Sequence, residues 1–313
     1  SLGSKVKLTV GSGIFNIQDG PALGGTDGIL DAGTREGIIR QINFAGRTVT
    51  IPWSLAGSDG YTFAPFNGGF NLEGTNSYNG QTTLVCGTLR AYRKNTIEPN
   101  VSLPDDGLVL VHPAGTLQVG EGSTSDYRTH EIIGALAGAG AVRLGSISSA
   151  TEVRRRALVI GEGGTGIPGQ ITLDGGVIAP GMTDEVGTLR ITAEAASPNA
   201  GIPVTLTNGT FKVDIAGPGV CDVLSTLTNV NINAGGGLVV DVDVGSFQPR
   251  RGQEWTIIVS ESGPITDGNG GKLLDAITDN SDRVNFTAAI ALDGKSLVLT
   301  AIDANPGTVL IVR

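Results

Sequence analysis

Long hydrophobic runs are missing from this chain. No stretch of its 313 residues approaches 18 consecutive apolar positions, so no helix of the sequence can span a bilayer. Sulfur is scarce, with two cysteines, Cys86 and Cys221, and one methionine, Met182. Such scarcity suits an oxidising, extracellular setting. Histidine occurs only at His112 and His130, and neither has the local Cys, Asp or Glu company that a zinc site or a catalytic triad needs. Aromatics make up 4% of the chain and charged residues 16%, where about 25% charged is usual. So few aromatics leave little to stack against sugar rings. The 30 acidic and 21 basic residues give a net charge of −9, which repels polyphosphates and anionic membrane surfaces. Nucleic acid is therefore not an expected partner, and neither is membrane insertion by this segment.

What is abundant is glycine, 49 residues without any three-residue period, which excludes collagen. The hydrophobic residues, 39% of the chain, fall in short runs rather than being evenly diluted, which argues against disorder. Runs such as Lys7–Val10, Arg47–Ile51, Gly107–Val111, Ala157–Ile160 and Glu254–Val259 are four to six residues long. Most are bounded by Gly, Pro, Asn or Asp, which marks strands joined by turns. Helical spacing occurs weakly once, at Leu273–Ile277, where one turn is possible. The chain is expected to be all-β.

The phrase Gly-Thr-Leu or a close relative opens a strand at Gly87, Gly115, Gly187 and Gly209, with looser versions at Gly176 and Gly237. Most separations are about 20–28 residues, the scale of units that bury a core only by stacking. The spacing predicts a parallel β-helix of about twelve to fifteen coils, a rod of roughly 60–70 Å. Tandem β-sandwiches are the alternative, carried by hairpin signals at Asn79-Gly80, Asn208-Gly209 and Asn269-Gly270. Residues 1–313 are read as a single solenoid, less regular or capped at about 1–70 and 260–313. The start on Ser1 and the strand-like stretch Thr308–Arg313 suggest a piece of something longer. On this geometry Cys86 and Cys221 lie roughly 29 Å apart, beyond the reach of a disulfide. They are read first as small buried residues, and an intermolecular bridge in an assembly is the sharper possibility.

Between Leu72 and Leu89 the residues Gly74, Asn76, Tyr78, Gly80, Thr82, Gly87, Thr88 and Leu89 occur in order. This segment resembles the autotransporter-associated β-strand repeat, of the form Leu-x-Gly-x-Asn-x-Tyr-x-Gly-x-Thr followed by Gly-Thr-Leu. Cys86 departs from it where a small residue is usual. Ile133–Val142, Gly176–Gly181 and Gly187–Leu189 are similar to the family's continuation. Asp222–Leu224, with Gly236–Leu238 through Gly252–Ile257, is similar to its terminal pattern, so the likeness spans about residues 70–260. It implies a right-handed parallel β-helix in an exported bacterial surface protein, and no particular chemistry. Within the motif, the glycines and Asn76 suit corners, Tyr78 can cap one, and threonines can bond between coils.

The remaining candidates are weak. Asp241 and Asp243 share a strand face, Asp27 and Asp31 sit in a Gly-rich loop, and Asp275, Asp279 and Asp282 cluster late in the chain. None matches a calcium motif, and a solvated face is the plain reading. Arg154, Arg155 and Arg156 and the pair Arg250–Arg251 are basic clusters, the first a possible contact with a neighbouring copy. Neither a catalytic set nor a cofactor is expected. The function expected is a non-catalytic secreted or cell-surface structural or adhesive protein, with self-association into filaments or arrays as a narrower form of that reading. A carbohydrate-active enzyme and a glycan- or host-protein-binding module are the alternatives.

Overall fold

A β-strand exposes two faces, and here one face of almost every strand is apolar, so strands gain stability by laying like residues over one another. The computed structural model describes residues 7–9, 13–17, 28–41, 46–66, 68–91, 102–119, 130–144, 157–161, 170–182, 185–192, 203–233, 236–270, 273–281 and 284–303. These contain strands β1–β26 and no helix. Three strands form a small separate sheet, and the others form one mostly parallel sheet that wraps nearly closed around the core. The antiparallel pairs are confined to the last third of the chain. Face-to-face antiparallel sheets, as in a sandwich, would need the reverse.

The pairings sort into three parallel ladders. The first joins β2 (Ile14–Ile17), β4 (Gly37–Gln41), β7 (Tyr61–Ala64), β9 (Thr82–Ala91), β10 (Leu108–Val119), β12 (Ala135–Gly138), β15 (Ile171–Pro180), β17 (Val204–Gly217), β21 (Leu238–Asp243) and β24 (Ala276–Asp279). The second joins β5 (Thr48–Ile51), β8 (Gly69–Leu72), the later parts of β9 and β10, β13 (Ala141–Leu144), β16 (Thr188–Ile191), β19 (Val223–Thr226) and β22 (Glu254–Ser260). The third has two parts. One is the small sheet β1 (Lys7–Thr9), β3 (Ile29–Asp31) and β6 (Ser54–Ala56). The other is β11 (His130–Ile133), β14 (Ala157–Ile160), the first halves of β15 and β17, β20 (Val230–Ile232) and β23 (Ile265–Asp267). Long strands such as β9 and β17 bend and serve two ladders.

Register follows the packing. In the first ladder Gly37, Tyr61, Thr82, Val109, Leu136, Ile178, Phe211, Val240 and Ile277 are partners in turn, one above another. All are buried but Ile277, which sits half-buried at the end of the column. The second ladder stacks Val49, Phe70, Leu89, Leu117 and Val142 in the same way. A residue in such a column is covered above and below by its counterparts, which ties register to burial. Gly37 is required by its neighbour, because a Cβ there would overlap the Tyr61 ring. These columns feed one continuous core cluster running from Ile17 to Ala301.

The circuits are longer and fewer than the spacing predicts. Partners are as close as Tyr61 and Thr82 but as far apart as Leu136 and Ile178, and the longest ladder has ten strands among the described residues. The reason lies near Gly161: β14 adds a strand to the third ladder, while β12 pairs directly with β15 in the first. Leu273–Ile277 runs into a strand instead of a helical turn. The Asn-Gly pairs do not mark hairpins either, since Asn208-Gly209 lies inside β17, where Gly209 bends the strand at φ 114°. At the C-terminal end β26 (Ser296–Asp303) pairs antiparallel with both β22 and β25 (Val284–Ile290). Trp255 packs edge-on to Phe247 and Phe286 there, and its Nε1–H donates to the Gly217 carbonyl at 2.7 Å.

Phe211 fills the centre of the first column, so Phe211→Ala is expected to destabilise the chain by about 3–5 kcal/mol. Urea unfolding followed by tryptophan fluorescence measures this, and a loss below about 1 kcal/mol would contradict the column packing.

Candidate functional site

The ordered motif from Gly74 to Leu89 builds one circuit of the stack. A Cβ on Gly74 would overlap the Trp53 carbonyl, so only glycine lets the two segments approach. Gly80 and Gly87 turn the chain at φ 83° and 68°. Leu89 stands in the second column between Phe70 and Leu117, and Thr88 pairs with Gly69 and Thr116. Tyr78 is buried in the core, tilted against the Tyr61 ring at 4.8 Å. Its hydroxyl shares a 2.6 Å hydrogen bond with the buried Thr82 hydroxyl. Tyr61 in turn donates to the carbonyl of Leu30 or of Ala56, both at 2.9 Å.

Asn76 has the most specific role. Among the described residues, the third ladder carries no named strand between β6 and β11; backbone bonds such as that from the Ser77 N–H to the Leu55 carbonyl at 2.8 Å continue there, and side chains supplement them. Asn76 accepts the Leu55 N–H at 2.8 Å through Oδ1 and donates through Nδ2 to the Ser102 carbonyl. One residue on, the Leu103 N–H donates to Glu131 Oε1 at 2.6 Å. Glu131 is fully buried, at the head of a column that continues through Leu158, Ile171, Val204, Val230 and Ile265. Burial raises its pKa well above the ordinary range, the Leu103 N–H opposes this, and the Asp105 carboxylate adds to the rise.

A second buried carboxylate, Asp222, ties a corner together. It accepts the Gly187 N–H at 2.7 Å and the Asp214 N–H at 3.0 Å. Burial lifts its pKa to about 7; the two N–H groups pull it down and the Asp214 carboxylate raises it again. Beside it Cys221 is half-buried, its thiol 3.4 Å from the Thr256 carbonyl. Burial and the Asp222 charge push that thiol up to about 12, so it stays protonated at neutral pH. Cys86 is also half-buried, and the two cysteines are not bridged.

Other candidates are dispersed. Arg154, Arg155, Arg156, Asp27 and Asp282 lie outside the described residues. His112 is half-buried on β10, and His130 lies on β11. Asp241 accepts the Thr278 hydroxyl at 2.6 Å, while Asp243 accepts the Gly245 N–H and the Asn280 amide. Asp31 holds the Gly33 N–H, and Arg251 pairs with Asp303 at 3.0 Å across an exposed surface. Among the described residues no three His, Cys, Asp or Glu side chains are grouped to hold a metal ion. An open cleft of about 720 Å³ lies between β24 and β25 and is lined by residues including Leu273, Ile277, Asp279, Phe286 and Ile302. No helix of the described residues is long and apolar enough to cross a membrane. No protein-family model matches the chain, and a search of curated proteins finds no match.

Sequence reasoning missed Glu131 and Asp222. Glu131 was detectable, since it lies two residues before Ile133 in one strand and so shares that inward phase. With its folded pKa raised, Glu131 contributes full stability below about pH 4.5, the ordinary range of a carboxyl, and that contribution is lost as pH rises towards the folded value. Glu131→Gln keeps the acceptor for Leu103 and a donor, without the charge. Its melting temperature should match wild type near pH 4 and exceed it increasingly up to pH 8. Parallel melting curves across that range would refute the assignment. Asn76→Ala, which leaves the Leu55 N–H and Ser102 carbonyl unpaired, is expected to cost about 2–4 kcal/mol at any pH.

Proposed function

We propose that the chain is a right-handed parallel β-helix and serves an exported bacterial surface protein as a rigid, non-catalytic structural or adhesive rod, of the autotransporter passenger type that its motif resembles. The observation that carries this reading is the use of the motif. Gly74, Asn76, Tyr78, Gly80, Thr82, Gly87 and Leu89 all serve turning, packing or bridging within one circuit. The buried carboxyls support it too, since Glu131 is enclosed by the core, away from any substrate, and both Asp222 oxygens hold backbone N–H groups. Ten strands at about 4.8 Å give a stack roughly 45 Å long, stiffened along its whole length by one core. A rod of this kind presents its outward faces to glycans, to other surface ligands or to further copies of itself.

Two measurements test the reading. Antibodies raised against the purified chain are expected to label intact cells of its source, and labelling only after permeabilisation would overturn export. Incubation with a panel of neutral and acidic polysaccharides should release no new reducing or unsaturated ends. Turnover abolished by a point substitution of an outward carboxylate would make the chain an enzyme instead.

A further inference from the structure

Parallel ladders have a structural weakness at their ends. Each terminal strand leaves a row of backbone donors and acceptors open, and another copy's strand can extend the ladder. At the C-terminal end of this stack all three ladders finish in a way that opposes extension. The inner column Ile133, Ile160, Leu173, Leu206 and Ile232 of the third ladder ends on Asp267. The inner column Val213 and Val242 of the first ladder ends on Asp279. Both aspartates occupy the phase that carries apolar side chains in every earlier partner of their columns. Asp267 is two residues after the buried Ile265, and Asp279 is two after the half-buried Ile277. The second ladder is covered by the antiparallel strands β26 and β25. The third is further closed by the Ile265 N–H, which donates to the Gly294 carbonyl at 2.7 Å.

The opposite end is built differently. On β2, the first strand of the first ladder, the residues in the inward phase are Phe15 and Ile17, both apolar. Aspartate in the inward phase therefore marks one end and not the other, so it is not a general property of terminal strands here. Each of the two aspartates also accepts a local N–H, from Asn269 to Asp267 at 2.8 Å and from Ser281 to Asp279 at 2.9 Å. Those turns need an acceptor oxygen and no charge, so asparagine would serve them equally.

We infer that Asp267 and Asp279 are guards that close the C-terminal end of the stack against strand addition by a second copy of the chain. A copy docking its own terminal strands there would bury two carboxylates in apolar columns. Any self-association of the rod then proceeds through its sides or its other end, and an endless head-to-tail filament through β23 and β24 is blocked. The inference rests on the stacked ladders and is independent of where the protein is located.

The test compares the full-length chain with two double variants, Asp267→Asn with Asp279→Asn, and Asp267→Val with Asp279→Val. Circular dichroism confirms folding, and sedimentation velocity over a concentration series reads association. The asparagine pair keeps both turns and removes only the charge, so it remains informative if the valine pair fails to fold. Against wild type, the asparagine pair is expected to associate about ten-fold more tightly, and a folded valine pair more tightly still. Placing Cys at Ile277 and Phe15 in a background with Cys86→Ser and Cys221→Ser should cross-link the variants between copies and leave the charged parent uncross-linked. The inference is overturned if folded variants associate no more than wild type, or if the charged parent already cross-links through these positions. Neither result would bear on surface exposure, which the cell-labelling experiment decides.

Discussion

In-register stacking of inward side chains is the constraint on which the rest of this structure depends. A residue such as Leu136 touches little from its own strand neighbours, since their side chains point away from it. Its cover comes from Val109 on one side and Ile178 on the other. The three residues are distant in sequence, so the core forms only when successive circuits align. A one-residue slip in any strand would turn its apolar set outward. The glycines answer to the same constraint. Gly37 makes room for the ring of Tyr61, and Gly74 lets its segment lie against the Trp53 carbonyl. Such glycines act through space, by letting neighbouring circuits close to contact distance.

The polar interior follows from the same rule. Wherever the backbone ladder lapses, some group must satisfy the N–H and C=O groups left inside. Between β6 and β11, alongside the remaining backbone bonds, Asn76 bridges Leu55 and Ser102, and Glu131 accepts the Leu103 N–H. An amide suits the bridge, because it offers a donor and an acceptor on one short side chain. At the corner near Gly187, Asp222 holds two N–H groups, one on each oxygen. Burial is the first cause of the raised pKa in both carboxyls, and backbone N–H groups oppose the rise in both.

Much of the architecture was legible in the residues. Short runs bounded by Gly, Pro and Asn implied strands, and the recurring Gly-Thr-Leu phrase located four of the positions where strands of the ladders begin or bend. The ordered set from Gly74 to Leu89 marked a circuit. What escaped was whatever depends on partners in other circuits. Asn76 could be placed at a corner but not as a bridge, because Leu55 and Ser102 lie in different circuits, 21 and 26 residues away. Tyr78 could be placed at a corner but not in the core, where the rings of Tyr61, Phe63 and Phe70 crowd together. The number of circuits was overcounted because β14 inserts into one ladder without adding to the first, which no local pattern announces.

Polarity in the inward phase means different things where a column is enclosed and where it is open. Glu131 heads a column of five apolar partners and is enclosed, and burial raises its pKa. Asp267 and Asp279 close their columns in half-exposed positions, where a carboxylate keeps its water at little expense. The expense appears only when another strand covers them, so the same residue type is tolerated in the free molecule and opposed in an extended stack. Alternation along a strand is therefore not enough to decide what an inward acid does. Its position along the column decides, through whether a further circuit lies above it.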